Sequence, residues 1–201
     1  GSMILGIPTG GFPTSEFMDC TIRDVKSGII SNWITAKSIY LDKNRNDIGK
    51  AFMTWEMLKD DPLLLMVDDD IEWHISVLPR LIEASAQHEV VFPDVCLGVG
   101  PTSALKWDGA EFQLDWPHDA KPYSPDGVAG AMFLVRRDLL ELLPFGEWWT
   151  KRRINGVTAG EDMSFSSLLR GIGVKPYCIP GLKIIHHRQA PLTSPLVDWS
   201  K

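Results

Sequence analysis

Short apolar runs alternate with amphipathic segments along this chain. A short, wholly apolar run is typical of a strand buried on both faces, whereas apolar residues at helical spacing predict a helix packed along one side. The predicted strands cover residues 3–7, 33–41, 63–67, 90–92, 97–99, 128–135 and 182–185.

Amphipathic helices separate these strands. Thr14 or Ser15, Asn46 and Ser76 carry side chains that can cap three of the helices. Because strands and helices alternate, we expect an α/β fold with a mostly parallel, Rossmann-type sheet and helices on both faces. The helices are predicted to begin near residue 16 and to cover about 46–58, 76–86, 137–143 and 164–170, with Gly171 and Gly173 as candidate C-caps.

The composition is that of an ordinary globular protein, with 44% apolar and 23% charged residues among 201. This length suits one substantial domain, predicted over residues 3–201, and Gly1-Ser2 resembles the remnant of a cleaved tag. The net charge of −6 argues against a nucleic-acid partner. No apolar stretch is long enough to span a bilayer, and the dispersed cysteines indicate reduced thiols and a cytoplasmic location: Cys20, Cys96 and Cys178.

The most informative chemical feature is the acidic segment Asp68-Asp69-Asp70, which directly follows the predicted strand 63–67. Adjacent carboxylates repel one another and resist burial, and a divalent cation offsets that repulsion. Carboxylates at i and i+2 of an extended segment point the same way, so Asp68 and Asp70 can face one Mn²⁺ or Mg²⁺ ion. The alternative interpretation is a solvated acidic turn.

Two histidines close the last predicted strand. His186, or His187 in its place, could complete the metal site, and an imidazole ligand favours Mn²⁺ somewhat over Mg²⁺. The alternative for either residue is a partly buried histidine with an ordinary hydrogen bond.

Three further segments allow both a chemical and a structural interpretation. Glu161-Asp162 could supply a general base or could simply favour a helix N-terminus. Trp148-Trp149 could stack on a sugar ring or could belong to the core. The basic residues Lys43 and Arg45 could contact a diphosphate or could be solvated.

Taken in order, these segments resemble the GT-A-fold glycosyltransferases, which use nucleotide-sugar donors and carry a D-x-D motif. The resemblance rests on four ordered features: the opening strand with the Pro-Thr-Gly-Gly loop at 8–11, Asn44-Arg45-Asn46 ahead of the acidic segment 68–70, the small-residue strand over 127–137, and Gly160-Glu161-Asp162 followed by a strand ending in His186. The loop 8–13 lacks the aspartate usual in the large inverting families, and the chain is short for an elaborate acceptor half.

The resemblance implies a nucleotide-binding half over about 3–100 and an acceptor half over about 101–190. It implies a UDP- or GDP-sugar donor, a saccharide or glycoconjugate acceptor, an Mn²⁺ or Mg²⁺ cofactor and an inverting transfer. The implied catalytic residues are Asp162 and Glu161. The implied binding residues are Pro8, Thr9, Asp42, Arg45, Asp68 and Asp69 for the nucleotide, Asp70, Asp68 and His186 for the metal, and Gly130, Ala131, Trp148 and Trp149 for the sugar or acceptor.

Other functions stay open on the sequence alone. A retaining glycosyltransferase would share the same fold. A nucleotidyltransferase would normally carry a basic residue after its glycine-rich loop, where this chain has Phe12-Pro13. A metal-dependent phosphohydrolase would normally need more histidines or a second carboxylate cluster. A non-catalytic sugar-binding protein would explain the tryptophans but not the two acidic segments.

Overall fold

The computed structural model describes residues 2–116, 119–187, 191–193 and 196–200. The helices are α1 (Ser15–Lys26), α2 (Leu41–Thr54), α3 (Val77–Ser85), α4 (Arg137–Glu141) and α5 (Glu161–Gly171). The strands are β1 (Met3–Thr9), β2 (Ile30–Lys37), β3 (Leu63–Val67), β4 (Ile71–Trp73), β5 (Val90–Pro93), β6 (Ala104–Trp107), β7 (Phe112–Leu114), β8 (Gly127–Val128), β9 (Met132–Arg136), β10 (Arg153–Ile154), β11 (Val157–Thr158), β12 (Tyr177–Ile179), β13 (Ile184–His187) and β14 (Pro191–Thr193).

A six-stranded sheet in the order β12-β5-β9-β3-β1-β2 forms the centre of the molecule. Strand β1 runs parallel to β2 and β3, and β12 runs parallel to β5. Only β9 is reversed in this sheet, since it pairs antiparallel with both β3 and β5. The predicted mostly parallel α/β sheet is therefore confirmed, and strands from both predicted halves share it.

Helices cover both faces of this sheet because its strands are apolar on both sides. Along β3 the side chains alternate between two cores, with Leu65 in one and Leu64 in the other. The first core also receives Phe17 of α1 and Leu78 of α3. The second receives side chains of α2, α4 and α5, among them Phe52.

Three small antiparallel sheets extend this frame. Strands β14, β13 and β4 form one of them, β7, β6 and β8 form the second, and β10 pairs with β11 in a hairpin. Strand β4 follows the acidic segment directly and pairs with β13, so His186 lies opposite Ile71. This pairing brings the end of the chain back to the acidic segment. No helix in the described part of the chain is long and apolar enough to cross a membrane.

Several predicted boundaries are wrong. The second strand occupies Ile30–Lys37 rather than 33–41, because α2 already begins at Leu41. Asn46 lies inside α2 and does not cap it. The predicted strand 97–99 is a turn, with Gly98 at a φ of 82°. The predicted strand 128–135 is interrupted, and α5 begins three residues before its predicted start, at Glu161.

Candidate functional site

The acidic segment leaves the carboxyl end of β3, where it borders a pocket of about 250 Å³. The backbone N–H of Asp68 donates to the carbonyl of Ala131 at 2.8 Å, which fixes the start of the segment against the loop before β9. Ligands of open α/β sheets bind at this end of the strands. The pocket is lined by Pro8, Thr9, Gly10, Ser38, Ile39, Leu41, Asn44, Asp68, Asp69 and Asp70.

Asp69 is held by the loop that follows β1. Its carboxylate accepts a hydrogen bond from the Thr9 hydroxyl, whose oxygen in turn accepts the N–H of Gly11 at 2.8 Å. The carbonyl of Asp69 accepts the backbone N–H of Thr14 at 2.9 Å. Burial raises the pKa of Asp69 above its usual value, and the hydrogen bond from Thr9 offsets only part of this rise. The loop after β1 and the acidic segment therefore form one wall of the pocket.

Asp70 faces His186 across the junction of β4 and β13. The distance from Asp70 Oδ2 to His186 Nε2 is 3.2 Å, and His186 Nδ1 lies 2.9 Å from the carbonyl oxygen of Cys96. The other carboxylate oxygen, Asp70 Oδ1, is buried and has no hydrogen-bond partner among the described residues. His186 itself is 1% exposed. The imidazole of this pair is therefore shielded from solvent, whereas the Asp70 side chain is 27% exposed.

Arg45 is buried between two carboxylates and does not face the pocket. Its Nη2 lies 3.2 Å from Asp68 Oδ1 and its Nη1 lies 3.3 Å from Glu161 Oε1, with 1% of the side chain exposed. A buried cation of this kind needs its partners, because removing one leaves an uncompensated charge. Arg45 is thus too buried to make the predicted contact with a nucleotide in the pocket. Arg45 instead joins α2 to the acidic segment and to the start of α5.

The ionisation of Asp68 reflects opposing influences. Burial raises its pKa most strongly, and the nearby Asp70 carboxylate raises it as well. The Arg45 guanidinium lowers it through its charge and its hydrogen bond. A divalent cation near Asp70 would add to the influence of Arg45 and favour the ionised form of Asp68.

Asp162 lies at the N-terminus of α5 and is linked to the acidic segment through the backbone. Its Oδ2 accepts the N–H of Gly130 at 3.1 Å, and its Oδ1 accepts the N–H of Met163 at 2.8 Å. The residue after Gly130 is Ala131, whose carbonyl receives the N–H of Asp68. Two backbone donors therefore hold the Asp162 carboxylate beside the loop that leads to Asp68.

The structure brings most of the predicted site residues together. Pro8, Thr9, Asp68, Asp69 and Asp70 border the pocket directly. His186, Glu161, Asp162, Gly130 and Ala131 are linked to them through the contacts described above. Asp42 lies in the first turn of α2 and is not among the residues that line the pocket.

His187 is directed away from this group. Its Nε2 lies 2.6 Å from Glu72 Oε2, on the opposite face of β13 from His186. Neighbouring side chains of a strand point to opposite faces, so only one of the two imidazoles can reach the Asp70 carboxylate, and His187 contacts Asp70 only by donating its backbone N–H to the Asp70 carbonyl at 2.8 Å. Of the two candidates for the metal site, the structure places His186 at Asp70.

The predicted sugar platform of Trp148 and Trp149 is wrong. Both side chains have no exposed surface and belong to the core between the sheet, α2 and α5. Trp148 Nε1 donates to the carbonyl of Leu140 at 3.0 Å, and the N–H of Trp149 donates to Asn46 Oδ1 at 2.9 Å. A ring without exposed surface cannot stack on a ligand, so the tryptophan pair has a structural role.

Sequence reasoning assigned no site role to two contributors, although Asn44 belongs to one of the four features that carry the resemblance. Asn44 lines the pocket, and its amide donates to the carbonyls of Thr9 and Ser38 at 3.4 and 3.1 Å. Cys96 contributes its carbonyl to His186. The apolar periodicity of α2 gave no indication of the first contact, and the second is made by backbone, which carries no side-chain pattern.

Solved structures with a similar backbone indicate the fold family to which this site belongs. The chain shares its fold with a glycosyltransferase. The crystal structure of GalNAc-T7 with UDP, GalNAc and Mn²⁺ matches with a TM-score of 0.53 and 18% identity, over 92% of this chain but 37% of that one. The crystal structure of A197 from STIV matches with a TM-score of 0.66 and 18% identity, over 94% of this chain and 86% of that one.

These likenesses establish a GT-A-like α/β fold, in which a central, mostly parallel sheet is flanked by helices. No family profile matches the chain, and no curated protein sequence matches it. The fold by itself does not set the chemistry, because function depends on the side chains of the site.

Proposed function

We propose that this protein transfers a sugar from a UDP- or GDP-sugar to an acceptor hydroxyl of a saccharide or glycoconjugate, with a divalent cation at Asp70 and His186. One observation carries the proposal. Asp70 and His186 converge at the carboxyl end of β3, beside a pocket, with a buried carboxylate oxygen of Asp70 that has no partner among the described residues.

The hydrogen bonding of His186 supports a cation at this position. A carbonyl oxygen can only accept, so the contact with Cys96 requires His186 Nδ1 to carry a proton. In the neutral ring the lone pair of Nε2 then faces Asp70 Oδ2, which is also an acceptor, at 3.2 Å. Two acceptors at this distance need a positive centre between them, which either a metal ion or a second proton on the imidazole supplies. A metal-bound histidine typically uses its second nitrogen for such a backbone contact.

The number of protein ligands also suits a nucleotide-bound ion. In the described part of the chain, no three His, Cys, Asp or Glu side chains converge as a complete ion site. Ions such as Mg²⁺ are commonly held by one or two carboxylates together with substrate phosphates and water. Asp70 and His186 would hold the ion. Asp68, whose side chain is 21% exposed, would add a negative charge beside it. The bound ion would supply Lewis-acid stabilisation of the departing diphosphate.

The donor nucleotide would occupy the pocket next to this pair. Thr9, Asn44 and Asp69 offer hydroxyl, amide and carboxylate groups there, while Pro8 and Ile39 offer apolar surface. A small number of polar groups in an otherwise apolar concavity is typical of sites for cofactor-sized ligands. Asp69 would accept a hydrogen bond from a ribose hydroxyl, since it borders the pocket.

Asp162 would accept the proton of the attacking acceptor hydroxyl. The N–H groups of Gly130 and Met163 hold its carboxylate in place, and the adjoining loop leads to Asp68. Glu161 is paired with Arg45, so we assign it a positioning role and Asp162 the role of base. A base placed opposite the leaving diphosphate gives inversion at the anomeric carbon. In a retaining enzyme Asp162 would instead orient the donor or the acceptor.

Asp162→Asn tests this assignment. We expect nucleotide affinity to stay within about twofold and turnover to fall by about 10²–10⁴, the usual contribution of general-base catalysis. Transfer and donor hydrolysis would be followed with a panel of UDP- and GDP-sugars, and the anomeric configuration of the product by NMR. Asp47→Asn, which changes an exposed carboxylate on α2, is the matched control. Unchanged turnover in Asp162→Asn would remove this residue as the base.

A further inference from the structure

We propose that the groove between α1 and β2 binds a single-chain amphiphile with a phosphate head group. This site is separate from the Asp70–His186 pair and goes beyond the proposed transfer. The groove encloses about 530 Å³, which lies within the range of small-ligand sites.

The groove exists because the sheet extends past its covering helix. Strand β2 is the last strand on its side of the sheet, and α1 leaves part of its face open. Trp33 and Thr35 of β2 line one wall. Residues of this strand face the groove at every second position, since side chains alternate along a strand.

The opposite wall is apolar and accessible. Met18 and Ile22 of α1 line it, with 40% and 46% of their surfaces exposed, and Trp33 across from them is 53% exposed. Exposed apolar surface gathered in one concavity indicates a binding site more often than the same residues scattered singly. A helix and a strand form the two walls, and an extended alkyl chain can lie between them.

The charge at the Thr9 end of the groove comes from Lys37, which pairs with Thr9 in the sheet, whereas Lys26 ends α1 close to the start of β2. Lys26 and Lys37 are the charged residues that line the groove, and no carboxylate lines it, although the protein carries a net charge of −6. Neither lysine has a carboxylate within ion-pair distance in the part of the chain that the structure describes. An isolated positive charge at a groove of an acidic protein favours an anionic head group.

Lys37 lies against the loop after β1. Its side chain passes directly over Gly11, close to the position that a Cβ atom would occupy there. Thr9, in the same loop, borders both this groove and the pocket beside the acidic segment. The head group of a bound amphiphile would therefore lie at the Thr9 end, with its chain running between Trp33 and α1.

Calorimetric titration of the whole chain with dodecyl phosphate, below its micelle concentration, tests this site without any nucleotide or metal. We expect one molecule bound per chain. Each methylene that is buried adds about 0.8 kcal/mol, which corresponds to about fourfold in affinity, so decyl phosphate should bind at least about tenfold more weakly. Dodecyltrimethylammonium should not bind.

Variants separate the two halves of the groove. Thr35→Trp fills the apolar part and should abolish binding, whereas Lys37→Gln should weaken dodecyl phosphate by about threefold or more and leave the dependence on chain length unchanged. Thr158→Trp on exposed β11 and Lys50→Gln on α2 are the matched controls. Because Thr35 and Lys37 are exposed strand residues, these variants keep the core intact.

Four outcomes would overturn the proposal. The first two are binding that does not depend on chain length and equal binding of the ammonium amphiphile. The third is binding to phosphatidic acid vesicles when the monomeric phosphate does not bind. The fourth is a protein that binds no amphiphile and instead forms a concentration-dependent dimer, which Thr35→Trp disrupts. Failure of nucleotide binding would leave this site unaffected, since no probe used here contains a nucleotide.

Discussion

A Cβ atom placed on Gly130 would lie 2.3 Å from Nη1 of Arg45. The glycine before β9 therefore leaves the space that the buried guanidinium occupies, while its N–H binds Asp162. Four parts of the chain meet at this contact: α2, the end of β3, the loop before β9 and the start of α5. The small residue serves the packing of Arg45 and the orientation of Asp162.

Gly130→Ala should displace Arg45 from Asp68 and Glu161. We expect a loss of about 1–3 kcal/mol in the free energy of unfolding, as for other overpacked core positions, and a loss of transfer activity greater than that of nucleotide affinity. Urea unfolding and steady-state kinetics would measure both. Gly171→Ala is the control, since nothing lies within 4 Å of its Cβ position. Equal stability and activity in the two variants would contradict the packing role of Gly130.

Trp148→Phe should behave as a core substitution. The change removes part of a buried ring and the N–H that binds the Leu140 carbonyl, so we expect the free energy of unfolding to fall by about 2 kcal/mol. Under conditions where the variant is folded, its affinities for the sugar donor and the acceptor should be unchanged. Trp55→Phe, at a tryptophan that is 48% exposed, should change stability by less than about 0.5 kcal/mol. A specific loss of sugar affinity in Trp148→Phe would restore the discarded stacking role.

Asp94 should make stability depend on pH. Its buried carboxyl accepts the Thr102 hydroxyl at 2.6 Å and the Ser103 N–H at 3.1 Å, and burial raises its pKa against these hydrogen bonds. A raised pKa in the folded state favours the protonated form. The stability that this group contributes is therefore present below its unfolded pKa of about 3.9 and is lost as pH rises through the folded value.

Asp94→Asn removes that titration and keeps an acceptor for both donors. We expect the variant to gain stability relative to the parent protein as pH rises from about 4 toward neutrality. Denaturant unfolding at several pH values gives the difference in the free energy of unfolding. A difference that is constant with pH would show that Asp94 titrates normally in the folded protein.

The sequence predicted those elements whose pattern is local. The run from Leu63 to Val67 is uniformly apolar and bounded by Pro62 and the acidic segment, and its strand has the predicted limits. Thr14 caps α1 as expected, because its hydroxyl accepts the N–H of Phe17. The failure at 97–99 has a local reason too, since Gly98 and Gly100 favour the turn closed by Leu97 N–H and the Gly100 carbonyl.

The contacts that assemble the site could not be predicted from local sequence patterns. Arg45 and Glu161 are 116 residues apart, and their pairing depends on how α5 returns to the sheet. The sequence does not show whether Trp148 and Trp149 face a ligand or the core, since aromatic rings suit both environments. The roles proposed for Asp70, His186 and Asp162 remain predictions that binding and kinetics must test.

Calorimetric titration with UDP and with GDP, each with and without Mn²⁺, tests the central proposal most directly. We predict that one of the two nucleotides binds only when Mn²⁺ is present, and that Asp70→Asn loses this dependence while Asp47→Asn keeps it. Binding of neither nucleotide to the folded protein in the presence of Mn²⁺ would contradict the donor site. Equal binding to Asp70→Asn and the parent protein would contradict the assignment of the metal to Asp70.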